Sequence, residues 1–527
     1  MSEIVRDADQ RFVSRWGLIL SVLGIAVGTG NIWRFPRIVA QNGGDDGAGG
    51  FLIAWVVFLL IWSVPLIIAE YALGQRGRLG VVGTFGRLSG GRLSWMGGFV
   101  AFVASAIMCY YAVVAGWCAY HFGAALVGGL PASHEASLAS WDAFQQSPWP
   151  LVLHALMMGL GGLVIVRGVR SIERISLVLL PTLLLTVLVA VVRALTLPGA
   201  FDGVAYLFTP DWSVLAEPAT WLEALTQNAW DTGAGWGLIL TYAAYMRREH
   251  GVVRNAVLTG VGNNTVSLLA ATMIFATVFA TLEETTVVAG ESLTRLQVMR
   301  DSGPASTGLT FIWMPQLFAQ MPLGRVLSAL FFLGLSFAAF TSLVSMVELA
   351  ARTLVDWGMR RGRAVATVAG GAFLVGVPSA LNLDILGNQD FVWGVALMIS
   401  GAFIARLVWR YGAARLREDV STPGDWPLPG LWHALIHWAI PLQAAVLLVW
   451  WGWQATTPGF LGEGGLWYDP FNPFSLMTCL LQWGLALTAL VLLNRWMWRR
   501  IEQSTPSGAP TDTYPRPPDD HGLIPTP

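Results

Sequence analysis

Gly24-Ile25-Ala26-Val27-Gly28-Thr29-Gly30-Asn31-Ile32-Trp33-Arg34-Phe35-Pro36 lies inside an apolar stretch, residues 16–40, that is long enough to cross a bilayer but makes a poor membrane helix. Gly28 and Gly30 lower helix propensity, Asn31 brings an amide, and Arg34 places a permanent charge at membrane depth. In lipid no water satisfies a freed backbone amide. A broken helix therefore survives only where it faces protein or a cavity that holds something polar. The stretch reads as an interrupted span that builds a binding site near the bilayer midplane.

The rest of the chain supplies the membrane protein around it. Of 527 residues, 55% are hydrophobic and only 12% are charged, about half the charged fraction of a soluble domain. A net charge of -1 says nothing about nucleic acid, and with no lysine arginine carries every fixed positive charge, so its distribution is what matters. Cys109, Cys118 and Cys479 all sit in apolar runs without paired or metal-ligand spacing, and read as packing residues. No nucleophile–base pair, metal cluster or phosphate loop marks an enzyme. Met1–Arg15 lacks a cleavable signal, so the first span is expected to act as its own insertion signal.

Further apolar stretches follow near 51–74, 97–126, 150–167, 174–195, 219–246, 253–281, 323–357, 363–380, 389–412, 433–455 and 473–499, which makes twelve spans. Arginine collects on alternate connections, from Arg6, Arg11 and Arg15 before span one to Arg499 and Arg500 after span twelve. The loops near 127–149, 381–388 and 456–472 hold none. This asymmetry predicts that both termini are cytoplasmic. Four regions result: an N-terminal segment 1–15, a core 16–412, spans eleven and twelve within 413–500, and a Pro-rich tail 501–527 expected to be disordered.

Span six repeats the anomaly of span one: Gln227-Asn228-Ala229-Trp230-Asp231-Thr232-Gly233-Ala234-Gly235-Trp236-Gly237 combines close glycines with a charge. Each anomalous span opens a unit of five. Gly-interrupted spans at matching positions of two halves predict a 5+5 inverted repeat with the site between them.

These residues resemble the neurotransmitter:sodium symporter family, whose bacterial amino-acid-transporting members share the Gly-x-Ala-Val-Gly-x-Gly-Asn-x-x-Arg-Phe-Pro signature present at 24–36. Such transporters are among those on which the inverted-repeat rule rests, so the agreement is not independent. The similarity extends to Asn42-Gly43-Gly44, to Glu70 in Glu-Tyr-Ala-Leu-Gly, and to Tyr110-Tyr111. It continues through Thr241-Tyr242-Ala243-Ala244-Tyr245, Asn263-Asn264, Ala338-Ala339-Phe340-Thr341-Ser342 and Asp390-Phe391. It covers about residues 11–412, and spans eleven and twelve fit by length and hydropathy alone. The implied fold is an all-α polytopic membrane protein of twelve helices, with spans one and six unwound and two extra helices after the repeat.

The resemblance implies two Na+ sites. One takes the carbonyls of Gly24, Val27 and Ala338 with the hydroxyls of Thr341 and Ser342; hard oxygen ligands suit a hard cation. The other, beside the substrate, takes the Ala26 carbonyl, Asn31, Asn264 and the span-six residue that falls at Asp231. Amino-acid carriers of the family usually have Ser or Thr at that last position. Chloride-requiring members use a span-two tyrosine, a span-six Gln and hydroxyls of spans six and seven, and chloride-independent ones substitute a span-seven acid. Here the Gln is Gln227, the tyrosine position is Trp55 and the span-seven position is Leu268. Asp231 is accordingly read as a built-in negative charge, with no chloride expected. Pairing with a substrate amine and carrying a proton are its two other readings.

The substrate site implied is lined by Ala26, Gly28, Thr29, Gly30, Ile107, Tyr111, Trp230, Gly233, Trp236, Ser342 and Met346. The amides of Thr29 and Gly30 at a half-helix start would receive a carboxylate. The apolar lining suits a hydrophobic or aromatic amino acid, and the two tryptophans keep betaine- or choline-like substrates open. Arg34 and Asp390 resemble the outer gate, and Tyr245 and Asp356 the inner one. The family's arginine before span one falls at Asp9, so Arg11 or Arg6 is the expected partner of Asp356. The sequence thus predicts sodium-coupled uptake of a small neutral amino acid across a bacterial inner membrane by alternating access. Its expected partners are that small molecule and the bilayer, a homodimer being compatible, and a non-transporting amino-acid sensor is the alternative.

Overall fold

The computed structural model describes residues 11–247, 249–288, 291–300, 307–420, 423–457, 460–461 and 465–504. Expectations for Arg6, Asp9 and the tail beyond Ser504 lie outside the described residues.

Among the described residues eleven of the expected spans appear as membrane-long helices or bent helix pairs, and span six as two shorter helices. Nine of the eleven described spans pass as single helices long and apolar enough to cross a membrane, among them Gly49–Gly77 (span two), Ser94–Val127 (three), Val169–Leu195 (five), Val253–Thr281 (seven) and Gly324–Asp356 (eight). Span four, Trp149–Ile165, follows the helix His134–Gln145 across a 66° bend. Spans nine to twelve are Arg361–Leu381, Leu383–Tyr411, Leu431–Ala455 and Leu476–Ser504. The last runs past the expected end of the span at residue 499. A two-stranded hairpin, Thr285–Val288 with Glu291–Thr294, sits in the connection after span seven.

Spans one and six are interrupted as the sequence requires. Span one runs as Arg15–Ala26, breaks at Val27-Gly28-Thr29 where Val27 turns extended (φ -75°, ψ 93°), and resumes at Gly30 at an angle of 51°. Span six runs as Pro218–Asp231, leaves the helix over 232–237, and resumes as Leu238–Ala243. Gly233, Gly235 and Gly237 all take positive φ (68°, 92° and 76°), conformations that a side chain would strain. The two breaks meet: a Cβ added at Gly233 would lie 3.5 Å from Ile25 Cγ2 and 3.9 Å from Ala26 Cα.

Four widened, π-helical stretches occur among the described residues: Gly30–Arg34, Leu59–Ser63, Leu309–Trp313 and Leu435–Ala439. Each ends two residues before a proline, Pro36, Pro65, Pro315 or Pro441. Proline has no N–H for the carbonyl four residues back, and its ring crowds that carbonyl. The helix responds by slipping one register: the N–H of Phe35 reaches the Gly30 carbonyl, and Val64, Met314 and Ile440 likewise reach back five residues. The wide turn at Gly30–Arg34 therefore follows from Pro36, and it sets how Asn31 and Arg34 leave the helix.

Candidate functional site

Glu70 of span two supports the break in span six. It is fully buried, and its two carboxylate oxygens accept the N–H of Gly235 (2.7 Å) and of Leu240 (3.1 Å). The carboxylate thus caps the second half-helix from outside, satisfying amides that the break frees. The sequence shows Glu70 within a motif but not its role, although an acid in an apolar span must have buried donors. Glu70→Ala leaves two amides unpaired at about 1–3 kcal/mol each. The expected outcome is a sharp loss of monodisperse protein in detergent, measured by size-exclusion chromatography, with Glu70→Gln intermediate.

Above that break, a polar cluster joins spans one, six and seven. Asn31 Oδ1 accepts the Gly28 N–H at 2.8 Å, and its Nδ2 donates to Ser267 Oγ at 2.7 Å. Ser267 Oγ in turn donates to Asp231 Oδ2 at 2.9 Å, and Asp231 Oδ1 is buried beside the Gln227 and Asn263 side chains. One terminal atom of the Asn263 amide lies 2.8 Å from Asn31 Nδ2, 3.0 Å from the Ala26 carbonyl and 3.2 Å from the Asp231 carbonyl. The sequence placed Asn264 and Leu268 here, but the structure brings Asn263 and Ser267. A one-residue shift on a helix turns a side chain by about 100°, and in an Asn-Asn pair the sequence does not show which amide faces inward.

On the other side of span one, Ser342 Oγ donates to the carbonyls of Ile25 (3.1 Å) and Gly24 (3.4 Å). Thr341 Oγ1 donates within its own helix, to Phe337 (2.9 Å) and Ala338 (3.1 Å). A Cβ at Gly24 would stand 3.2 Å from Thr341 Cβ, so Gly24 is what allows spans one and eight to touch here. Gly24, Ala338, Thr341 and Ser342 thus come together, with Val27 at the helix end beside them.

A cavity of about 570 Å³ opens over both breaks. Ala26, Gly28, Thr29, Gly30, Asn31, Tyr111, Trp230, Asp231, Gly233, Trp236, Ser342 and Met346 line it, whereas Ile107, one turn before Tyr111, is buried outside it. The Tyr111 hydroxyl accepts from both the N–H and the hydroxyl of Thr29 (3.2 Å each). Trp236 meets Trp230 edge to face at 5.5 Å and donates from Nε1 to the Ala229 carbonyl. Arg34 and Asp390 line the same cavity. No ion pair joins them among the described residues: the Arg34 guanidinium lies 5.1 Å over the Trp230 ring, and Asp390 accepts from Tyr110 at 3.0 Å. Beyond them the cavity reaches Trp451 and Gln454 of span eleven, a contribution that hydropathy did not reveal.

The profile of the Sodium:neurotransmitter symporter family matches residues 9–143 and 134–503. The chain belongs to this family. An uncharacterized sodium-dependent transporter of Methanocaldococcus jannaschii is 31% identical over 82% of this chain and 89% of its own. The sodium-dependent neutral amino acid transporter B(0)AT2 of Bos taurus is 29% identical over 52% of this chain and 41% of its own. Among solved structures, MhsT in complex with L-phenylalanine superposes with a TM-score of 0.71 at 27% identity, covering 84% of this chain and 99% of that one. The chain is thus a sodium-dependent, multi-pass membrane symporter and not an enzyme.

The face of this symporter that carries the first described residues differs from the expected gate. Asp356 pairs with Arg352, four residues earlier on span eight (2.9 Å), and accepts the Gly80 N–H at 2.6 Å. Arg352 also donates to the Tyr245 hydroxyl (3.3 Å) and lies over its ring. Tyr245 donates to Glu348, which pairs with Arg361 at 2.6 Å. Tyr245 and Asp356 therefore share one buried network, in which Arg352 holds the place anticipated for Arg11 or Arg6. The spacing Arg352-x-x-x-Asp356 is visible in the sequence as an i,i+4 ion pair.

Proposed function

We propose that this symporter couples Na+ entry to uptake of a neutral amino acid with a hydrophobic or aromatic side chain, by alternating access and without chloride. The observation that carries the reading is the oxygen cluster around Asp231. One terminal atom of the Asn263 amide stands 3.0 Å from the Ala26 carbonyl and 3.2 Å from the Asp231 carbonyl; as a nitrogen it donates to both, and rotation of the amide would present its oxygen, with those two carbonyls, to a hard cation. The Asp231 carboxylate, bonded through one oxygen to Ser267, supplies fixed negative charge beside that group. A carboxylate about 4 Å from Na+ is worth about 4 kcal/mol at an effective dielectric near 20. The second Na+ would sit among Gly24, Val27, Ala338, Thr341 and Ser342.

The substrate carboxylate would meet Gly30 and Tyr111 beside the first Na+, and its side chain would lie against Trp230, Trp236 and Met346. The arginine asymmetry supports cytoplasmic termini, and a bacterial inner membrane fits that arrangement. Asp231 lines the cavity, which favours a cationic amine as the second reading. Thermal stabilisation of the purified protein separates the two. With a panel of amino acids, betaine and amines, in Na+ or choline, the expected result is stabilisation by large neutral amino acids in Na+ only. Stabilisation by amines alone would reassign Asp231 to the substrate.

A further inference from the structure

We propose that Glu173, at the start of span five, is a positioning residue that clamps the first half of span one and so sets how tightly the transporter holds Na+. Its carboxylate is 4% exposed and accepts three hydrogen bonds from the segment before span one: from the N–H of Val13 (2.8 Å), the N–H of Ser14 (3.0 Å) and the Ser14 hydroxyl (3.0 Å). Ser14 Oγ in turn accepts the Gly17 N–H at 2.8 Å, so one serine both caps the helix and ties the cap to Glu173. Gly17 completes the fit, since a Cβ there would fall 1.9 Å from Glu173 Oε1. A buried carboxylate over the positive end of a helix, accepting from that helix's entry, is a strong charge-assisted anchor.

The helix it anchors is Arg15–Ala26, a rigid rod of 12 residues. Its far end carries the Gly24 and Ile25 carbonyls, which Ser342 of span eight engages. The rod is therefore held at two points: Glu173 at its start and the oxygen cluster of the second Na+ site at its end. Movement of the rod away from span eight separates the Gly24 carbonyl from Ser342 and Thr341, and thus opens that cluster. Glu173 opposes this movement from about 15 Å away along the rod, where it can touch neither ion nor substrate. Asp356 pairs with Arg352 rather than with the segment entering span one, which is tied to that network through the Phe12 N–H on the Tyr245 carbonyl (3.2 Å) and to span five through the Glu173 carboxylate.

This inference rests on the sodium-coupled reading and is tested so that the two fail separately. Hydrogen–deuterium exchange of the full-length protein is followed over residues 15–26 as Na+ replaces choline. In the wild type, Na+ is expected to slow exchange there. In Glu173→Gln, exchange is faster in choline, and the Na+ concentration for half-maximal protection rises about fivefold or more. Exchange in Leu476–Ser504 stays unchanged. Gly17→Ala displaces the same carboxylate without removing it and is expected to act in the same direction. The double variant is then no worse than the stronger single one, because both break one contact. A role in stability alone would lower the melting temperature without moving the Na+ dependence, and that result, or unchanged exchange in both single variants, overturns the proposal. A wild-type segment that ignores Na+ contradicts the sodium-coupled reading, leaving the clamp to be judged by the variants' exchange in choline.

Discussion

Asp231→Asn is expected to lower Na+-driven uptake about 100-fold or more while leaving the protein folded. The substitution keeps the shape of the side chain and an oxygen for Ser267, which donates to Asp231 at 2.9 Å. It removes the one formal negative charge in the cluster of Asn31, Asn263 and Ser267. At about 4 kcal/mol for a carboxylate about 4 Å from Na+, even half of that term corresponds to a loss of more than tenfold in ion affinity. Uptake multiplies the loss, since the ion orders the substrate site. The matched measurement is uptake in proteoliposomes beside a size-exclusion profile that should coincide with wild type. If charge is what is missing, chloride should return part of the variant's activity, because Gln227 and Ser267 remain to face a mobile anion. Full activity in Asp231→Asn would refute the built-in-charge reading outright.

The second large effect belongs to Gly28. A Cβ at this position would lie 3.0 Å from Ser342 Oγ and 3.1 Å from the Tyr111 hydroxyl, tighter than most real contacts. Those atoms are ends of side chains and can yield slightly, so Gly28→Ala is expected to cost uptake only severalfold. Gly28→Val adds two further methyl groups at the mouth of the break, where the substrate carboxylate would approach Gly30 and Tyr111. Overpacking of this kind costs about 1–3 kcal/mol before any substrate is excluded. Uptake should fall about 100-fold or more. Na+ protection of residues 15–26 in hydrogen exchange should fall less than uptake does, within about tenfold, because, of the proposed ion ligands, the added Cβ crowds the Ser342 hydroxyl, at the end of a side chain that can yield. Equal loss of Na+ protection would place the defect in the ion sites and contradict a substrate role for Gly28.

What the sequence showed and what it hid divide along physical lines. Length and hydropathy located every span, because the thickness of the hydrocarbon core fixes helix length. The two breaks were legible because clustered glycines and a charge at membrane depth are too costly to persist there without a polar site to serve. Side-chain phase was less so. Asn263 and Asn264 are chemically identical neighbours, and only the helix's rotation against span one brings Asn263 to Asn31 and, four residues on, Ser267 to Asp231. Partners distant in sequence were hidden for the same reason: nothing local pairs Glu70 with Gly235, or Glu173 with Ser14. Arg352 was hidden differently. Its four-residue spacing to Asp356 suits a pair, but spacing alone does not rank it above Arg11 or Arg6, which the fold could have carried to the same acid. Trp55 stands where the resemblance suggested a tyrosine. It packs on Phe35 at 4.4 Å and accepts from Asn228 through its backbone carbonyl, filling that corner with a ring that has no hydroxyl to offer an anion.

The most direct test of a sodium symporter with its own negative charge is uptake of labelled L-phenylalanine into proteoliposomes under an inward Na+ gradient, with chloride present or fully replaced by gluconate. The account predicts accumulation above the external concentration that requires the Na+ gradient and proceeds at the same rate in both anions. Accumulation only when chloride is present would contradict it, as would binding of the amino acid without any accumulation.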